Sequence, residues 1–152
     1  MSETTAPVTT AASAASVTAA PAAGRARAAR IALRTLTVLL ALFYGVASAL
    51  PKLIAHPSAV EAFDTIGWGS AVMYIIGVLE LAGGIALLVP VLSGVAPIAL
   101  SALMAGAFVV QMSYFDGENA ATPLILIVPL ALLAWTRRRS NADLVRLVKR
   151  RA

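Results

Sequence analysis

The chain of 152 residues contains 60% hydrophobic and 12% charged residues, and its mean hydropathy is +0.88. A water-soluble domain usually has about 25% charged residues, so this chain has too little charge to cover a surface that faces water. The net charge is +5, and the sequence has no cysteine and a single histidine, His56. These counts exclude disulfides, iron–sulfur clusters, thiolate zinc sites and a haem held by two histidines. The composition therefore predicts an all-α integral membrane protein.

The N-terminal segment consists mainly of Ala, Ser, Thr and Pro up to residue 24. Such a segment buries too little apolar surface to offset the entropy lost on ordering. Residues 1–30 are therefore predicted to form a disordered cytoplasmic tail. The Ala-Ser-Ala pattern at residues 47–49 resembles a signal-peptide cleavage site, but the basic leader is too long and Pro51 follows closely, so we expect no cleavage.

Four apolar stretches follow, and they predict a four-helix transmembrane domain over residues 31–136. At 1.5 Å per residue, about 20 residues cross a hydrocarbon core of about 30 Å. Two prolines, Pro123 and Pro129, weaken the helical pattern of the last stretch, which is also the shortest. The predicted spans are residues 31–50, with a continuation past Pro51 to residue 55 as the alternative, then 70–89, 95–114 and 120–135.

All basic residues but Lys52 flank the apolar stretches, whereas four of the seven acidic residues lie in the connections between them. Arginines precede the first span, a basic segment over residues 137–152 follows the last, and the connection after the third span carries Asp116 and Glu118. By the positive-inside rule, both termini are predicted to be cytoplasmic in a multi-pass protein of the plasma membrane. Membrane topology explains the basic residues, so we expect no nucleic-acid binding.

The C-terminal basic segment has the pattern of a short amphipathic helix. Residues 140–143 resemble a capping box, and Leu144, Leu147 and Val148 fall on one face. Such a helix lies on anionic headgroups as a topology anchor, or it docks a partner protein; the pattern favours the anchor.

One acidic residue, Glu80, falls near the middle of the second span. An ionised carboxylate at that depth costs about 2.5–3.5 kcal/mol unless it has a partner, so Glu80 is expected to face the interior of the bundle. The candidate partners are Lys52, at the outer end of the first span, and Gln111, one turn from the outer end of the third. Two interpretations stay open: polar residues that hold helices in register, or a proton or cofactor site. Hydroxyl groups near this site are expected from Tyr44, Tyr74 and Tyr114.

The connection between the first two spans contains His56, Glu61 and Asp64. One histidine and two carboxylates make a weak ligand set, so we interpret them as a solvated loop and predict no metal site. No phosphate-binding loop or nucleophile motif is present. The sequence therefore indicates no catalytic activity of the chain on its own.

Three motifs resemble those of the DoxX family of small bacterial membrane proteins. They are SALPKL at residues 48–53, with Ala49 where the family has glycine, IGVLELAGGIALL at residues 76–88, and LMAGA at residues 103–107. The second is the most specific, since it matches the family's Gly-x-x-Glu-x-x-Gly-Gly core. Many members have histidine at the position of Gln111, and this departure from the family pattern argues against a histidine-dependent activity.

The resemblance covers residues 31–136 and implies a four-helix membrane bundle associated with redox systems. Members of the family include a subunit of a thiosulfate:quinone oxidoreductase and a partner in an oxidative-stress complex. The resemblance therefore implies a non-catalytic membrane subunit or anchor of a redox complex, with quinone as the candidate cofactor. The candidate partners are the lipid bilayer, an oxidoreductase subunit and further copies of the chain. The alternatives are a pocket or carrier for a small apolar ligand, lipid or quinone, and a structural membrane scaffold.

Overall fold

Residues 11–138 are described by the computed structural model of the chain, with side chains from residue 23 onward. This part of the chain is all-α, as predicted. The backbone divides into two compact units, with the boundary after Thr35, and the candidate site and the side-chain contacts described below lie in the second unit. The elements are α1 (Ala11–Leu42), a π-helical segment (Phe43–Ala49), α2 (Leu50–Leu53), α3 (Pro57–Thr65), α4 (Gly69–Leu88), α5 (Ala96–Tyr114) and α6 (Ala121–Thr136).

Within the described residues, three helices are long and apolar enough to cross a membrane. They are Ala23–Leu53, Gly69–Leu88 and Ala96–Tyr114, and their bounds lie close to the first three predicted spans. The fourth apolar helix, α6, has 16 residues and remains continuous through Pro129. Its length of about 24 Å is less than the hydrocarbon core, as expected from the shortest predicted span. The first span continues past Pro51 to Leu53.

The first helix begins at Ala11, inside the segment predicted to be disordered. Alanine has the highest helix propensity of all residues, and this segment is rich in alanine. Residues 1–10 of the predicted tail lie outside the described residues, and so does the predicted amphipathic segment from residue 139 onward.

The connection after the first span is a short helix, α3, where the sequence suggested a loop. Pro57 occupies the first turn, where its missing N–H is not needed. One face of α3 is apolar: Phe63 and the following Ile66 pack against Met73 of α4 and form a small core. This packing holds α3 against the first turns of α4.

A π-helical segment, Phe43–Ala49, separates α1 from α2 within the first span, and its turns are wider than those of an α-helix. The backbone N–H of Leu50 bonds to the carbonyl of Gly45, five residues earlier. Proline lacks an N–H, and in an α-helix its ring clashes with the carbonyl four residues before it. For Pro51 that carbonyl belongs to Ala47, inside the π-helical segment, so the wider turn relieves the clash and lets the helix continue.

The buried face of α4 consists of residues at helical spacing: Met73, Gly77, Glu80, Gly84 and Leu87. Its other faces carry exposed Ile75, Val78, Leu79 and Ile85. A soluble protein would rarely leave so large an apolar surface in water, whereas a bilayer covers it. The second span thus buries one narrow stripe in protein and presents the rest to lipid.

Arg137, at the end of α6, joins three parts of the second unit at one end of the bundle. Its guanidinium Nη2 donates to Thr37 Oγ1 at 2.8 Å, and Nη1 donates to the carbonyls of Leu87 at 3.4 Å and Ser93 at 3.5 Å. Partial burial lowers the pKa of the Arg137 guanidinium from its ordinary value. An arginine nevertheless stays protonated, so its donors require these acceptors.

Candidate functional site

Glu80 and Lys52 form an ion pair between α4 and α2. The Lys52 Nζ lies 2.8 Å from the Glu80 Oε2, and the side chains are 19% and 4% exposed for lysine and glutamate respectively. Glu80 thus faces the protein interior, as expected for a carboxylate in a span. A pair this buried requires good geometry and further hydrogen bonds, because both charges lose hydration.

The π-helical segment supplies those further hydrogen bonds. Lys52 Nζ also donates to the backbone carbonyl of Ser48 at 2.9 Å and to the Ser48 hydroxyl at 3.4 Å. Ser48 lies four residues before Lys52, so both project from the same side of the helix. Sequence reasoning missed Ser48, although its spacing from Lys52 and the following Pro51 were available as signals.

Two glycines on the buried face of α4 bring the helices together at the ion pair. A Cβ added at Gly77 would lie 3.0 Å from the Lys52 Cβ, and one added at Gly84 would lie 3.1 Å from the carbonyl oxygen of Ala41. These residues lie one turn before and one turn after Glu80. Larger residues at either position would push the first span away, so the glycines set the distance across which Lys52 and Glu80 meet.

The ion pair forms part of the wall of a cavity of about 760 Å³. The π-helical segment and helices α2 to α6 all contribute to its lining, which is mostly apolar. Pockets that bind small molecules commonly have about 300–1,000 Å³ and apolar walls with a few polar groups. Lys52, Glu80 and Gln111 all line this cavity, so the structure brings the three predicted site residues to one space.

Gln111 does not join the ion pair. Its Oε1 is buried and has no hydrogen-bond partner among the described residues. The Tyr44 hydroxyl is likewise buried without a partner there, and it lies within range of the charge of Glu80. Buried polar atoms without a partner are rare in native proteins and mark places where water or a ligand binds.

Three other residues singled out from the sequence, Tyr74, Tyr114 and His56, do not line this cavity. Tyr74 and Tyr114 are 41% and 50% exposed, and neither lines the cavity. The Nδ1 of His56 lies 2.9 Å from the Ser58 hydroxyl at the start of α3. In the described part of the chain, no three His, Cys, Asp or Glu side chains lie close enough together to hold a metal ion.

Comparison with known proteins gives one match. Residues 35–134 match the model of the DoxX-like family, and this range contains the ion pair, both glycines and Gln111. No curated protein matches the chain, and no solved structure does. The family match covers well over half of the sequence and all four apolar helices in part or in full, so the chain belongs to the DoxX-like family of membrane proteins.

Proposed function

We propose that this protein is a non-catalytic membrane subunit that holds a quinone-type ligand for a redox complex. The observation that carries the proposal is the cavity of about 760 Å³ with the buried Lys52–Glu80 pair in its wall. A quinone joins a polar ring to an apolar tail, which fits a mostly apolar space with a few polar groups on one wall. The ring would lie near Lys52, Glu80 and Gln111.

Electron transfer is assigned to a partner in this proposal. The sequence has no cysteine and one histidine, so it lacks the usual ligands for iron–sulfur clusters and haem. An oxidoreductase subunit would exchange electrons with the ligand, while this chain positions the ligand and anchors the complex in the bilayer. A plasma-membrane location with both termini cytoplasmic is part of the same proposal and follows from the charge asymmetry.

A second candidate function is a carrier for a small apolar molecule without a redox partner. The size and apolar lining of the cavity favour a carrier as much as a redox subunit, because neither feature depends on redox chemistry. The third reading, a structural scaffold, is supported by Gly77 and Gly84, because close helix packing beside a polar contact is also how membrane helices hold their register.

Purification of the full chain from its own membranes in mild detergent tests these functions. The proposal predicts a stoichiometric oxidoreductase and a quinone in the organic extract of the purified complex. Bound quinone or lipid without a protein partner would favour the carrier. Absence of both ligand and partner would contradict the proposal and favour the scaffold.

A matched pair of variants assigns any bound ligand to the cavity. Ala107 lines the cavity, and Ala105 on the same helix is exposed and does not. Ala107→Phe is expected to remove the co-purified ligand because the ring fills the space, whereas Ala105→Phe is expected to retain it. Equal ligand content in both variants would place the ligand elsewhere on the protein.

A further inference from the structure

The wall of the cavity carries no net charge. Among the described residues it contains two charged side chains, Lys52 and Glu80, and these form the ion pair with 2.8 Å between Nζ and Oε2. The Lys52 ammonium is also bonded to the carbonyl and the hydroxyl of Ser48. A charged ligand would lose its hydration and find no free opposite charge in this wall. The wall therefore favours a ligand without a net charge.

Gln111 offers hydrogen bonds to an uncharged polar group. Its side-chain amide has two N–H donors and one carbonyl acceptor, and the acceptor, Oε1, is buried without a partner among the described residues. The amide can thus bind either a hydroxyl or a carbonyl. Tyr44, whose buried hydroxyl also has no partner there, does not line the cavity. The wall binds an uncharged polar group without requiring it to be a donor or an acceptor.

Polar and apolar lining residues lie toward opposite ends of the cavity. Val110 and Phe115 pack against the small core of α3 and α4, so Gln111 lies near the α3 end of the bundle. Met104 also lines the cavity but lies seven residues earlier on α5, about 10 Å deeper along the helix. Further polar lining residues at the α3 end are Ser58, Trp68, Asn119 and Thr122. This gradient fits an amphiphile, with its polar head toward α3.

The cavity is open near the middle of the spans. Phe43 lines it and is 37% exposed, and Ala47 of the first span and Ala102 of α5 are exposed lining residues as well. A Cβ added at Gly106, another exposed lining residue, would meet nothing within 4 Å. The π-helical segment packs on α4, whereas α6 packs on α5, which leaves a gap between the first span and α6. Lipid lies at this depth, so a ligand can enter from the bilayer.

We propose that the cavity takes a small uncharged amphiphile from the bilayer and excludes amphiphiles with a charged head group, because the two charges of its wall cancel. This inference rests on the proposed function, since it names the charge class of the ligand that the same cavity holds. The polar head lies near Gln111, and the apolar remainder extends past Met104 toward Phe43.

Three photoreactive probes test the proposal: a long-chain alcohol, the corresponding alkyl sulfonate and the corresponding alkyltrimethylammonium, each with a diazirine at the same carbon. Each is added at one low mole fraction to the full-length protein in lipid nanodiscs, and mass spectrometry locates the labelled residues. We expect the alcohol to label cavity residues of α5 at least roughly tenfold more than either charged probe, because an uncompensated charge at membrane depth disfavours binding by that factor or more. Val109 is 60% exposed and does not line the cavity, so its labelling normalises the three probes.

A change of charge in the wall should change this selectivity. Glu80→Gln leaves the Lys52 charge uncompensated, so the sulfonate should then label the cavity. Glu61→Gln changes the net charge equally but outside the cavity, and should keep the sulfonate out. Thr122→Lys adds a positive charge to the wall without breaking the ion pair and serves if Glu80→Gln does not fold. Its control is Ala121→Lys, at an exposed position that does not line the cavity.

Two results would overturn the inference and leave the proposed function intact. One is equal labelling of the cavity by all three probes in the unmodified protein. The other is continued exclusion of the sulfonate from the cavity in the folded charge variants. If no probe labels the cavity, the inference also fails, and the quinone content of the purified complex decides the proposed function separately.

Discussion

At the scale of single residues, the main feature of the bundle is the buried ion pair between Lys52 and Glu80. The two residues are 28 positions apart and meet at 2.8 Å with the glutamate almost fully buried. Their contact could be anticipated because the spans contain so few charges that a buried carboxylate has few partners available. That the site binds a cofactor stays a prediction.

The pair should behave as a unit in a double-mutant cycle. Removing one member of a buried pair typically costs about 3–5 kcal/mol, because the other charge remains buried and unpaired, whereas replacing both can be nearly neutral. Glu80→Gln and Lys52→Met are each expected to lower the melting temperature in detergent, and the double variant should recover much of the loss. In Glu80→Gln, Lys52 would keep its partial exposure and its hydrogen bonds to Ser48. The loss of stability in this variant is therefore expected near the lower end of that range, at about 3 kcal/mol.

Glu61 provides the control for this cycle because it is exposed on α3. Glu61→Gln should leave the melting temperature within error of the unmodified protein. Strictly additive losses in the Lys52 and Glu80 variants would show that the two residues contribute independently, contrary to the ion pair described above.

At the scale of the elements, helix positions followed from hydropathy, whereas the irregular elements did not. The thickness of the bilayer fixes how long an apolar helix must be, so α4 and α5 lie where the apolar stretches predicted them. The π-helical segment follows from Pro51, and α3 is held by the packing of Phe63 against Met73; hydropathy reports neither. Ser48 was missed for the same reason, because its role arises from that π-helical segment.

Close packing of α4 on the first span predicts opposite effects for two glycine substitutions. A Cβ at Gly84 would meet the Ala41 carbonyl oxygen at 3.1 Å, whereas one at Gly106 on α5 would meet nothing within 4 Å. Gly84→Ala should destabilise the protein by about 1–3 kcal/mol through overpacking. Gly106→Ala should be neutral or stabilise it by up to about 1 kcal/mol through helix propensity. Equal melting temperatures for the two variants would contradict the close approach.

The contacts of Arg137 predict that its substitution lowers the melting temperature more than substitution of the neighbouring Arg138. It donates to acceptors on α1, on α4 and in the turn before α5, whereas Arg138 is exposed and lies over the Trp135 ring at 5.9 Å. Arg137→Gln should lower the melting temperature because three hydrogen bonds are lost and Thr37 loses its guanidinium donor. Arg138→Gln should change it little, since exposed cation–π contacts are worth about 0.5–1 kcal/mol. A larger effect at Arg138 than at Arg137 would refute this account of the bundle end.

At the scale of the whole molecule, the predicted four crossings would place the turn between α4 and α5 on the same side as the predicted cytoplasmic termini. Val91 is exposed in that turn, and Asn119 is exposed in the connection between α5 and α6. The chain has no cysteine, so a single Val91→Cys or Asn119→Cys gives an unambiguous label. An impermeant maleimide added to intact cells should label position 119 and spare position 91. Labelling at position 91 alone would show that the orientation in the membrane is the reverse of the one proposed.

Ligand binding in the cavity is the central claim, and tryptophan fluorescence tests it directly. Trp68 lines the cavity and Trp135, the second of the two tryptophans, does not, so Trp135→Phe leaves one reporter at the site. Titration of this variant with a short-tail benzoquinone should quench the fluorescence with a saturable curve, because a bound quinone stays near the indole. Adding Ala107→Phe should abolish saturation, whereas Ala105→Phe should preserve it. Quenching that rises without saturation, or that Ala107→Phe leaves unchanged, would contradict a ligand site in this cavity.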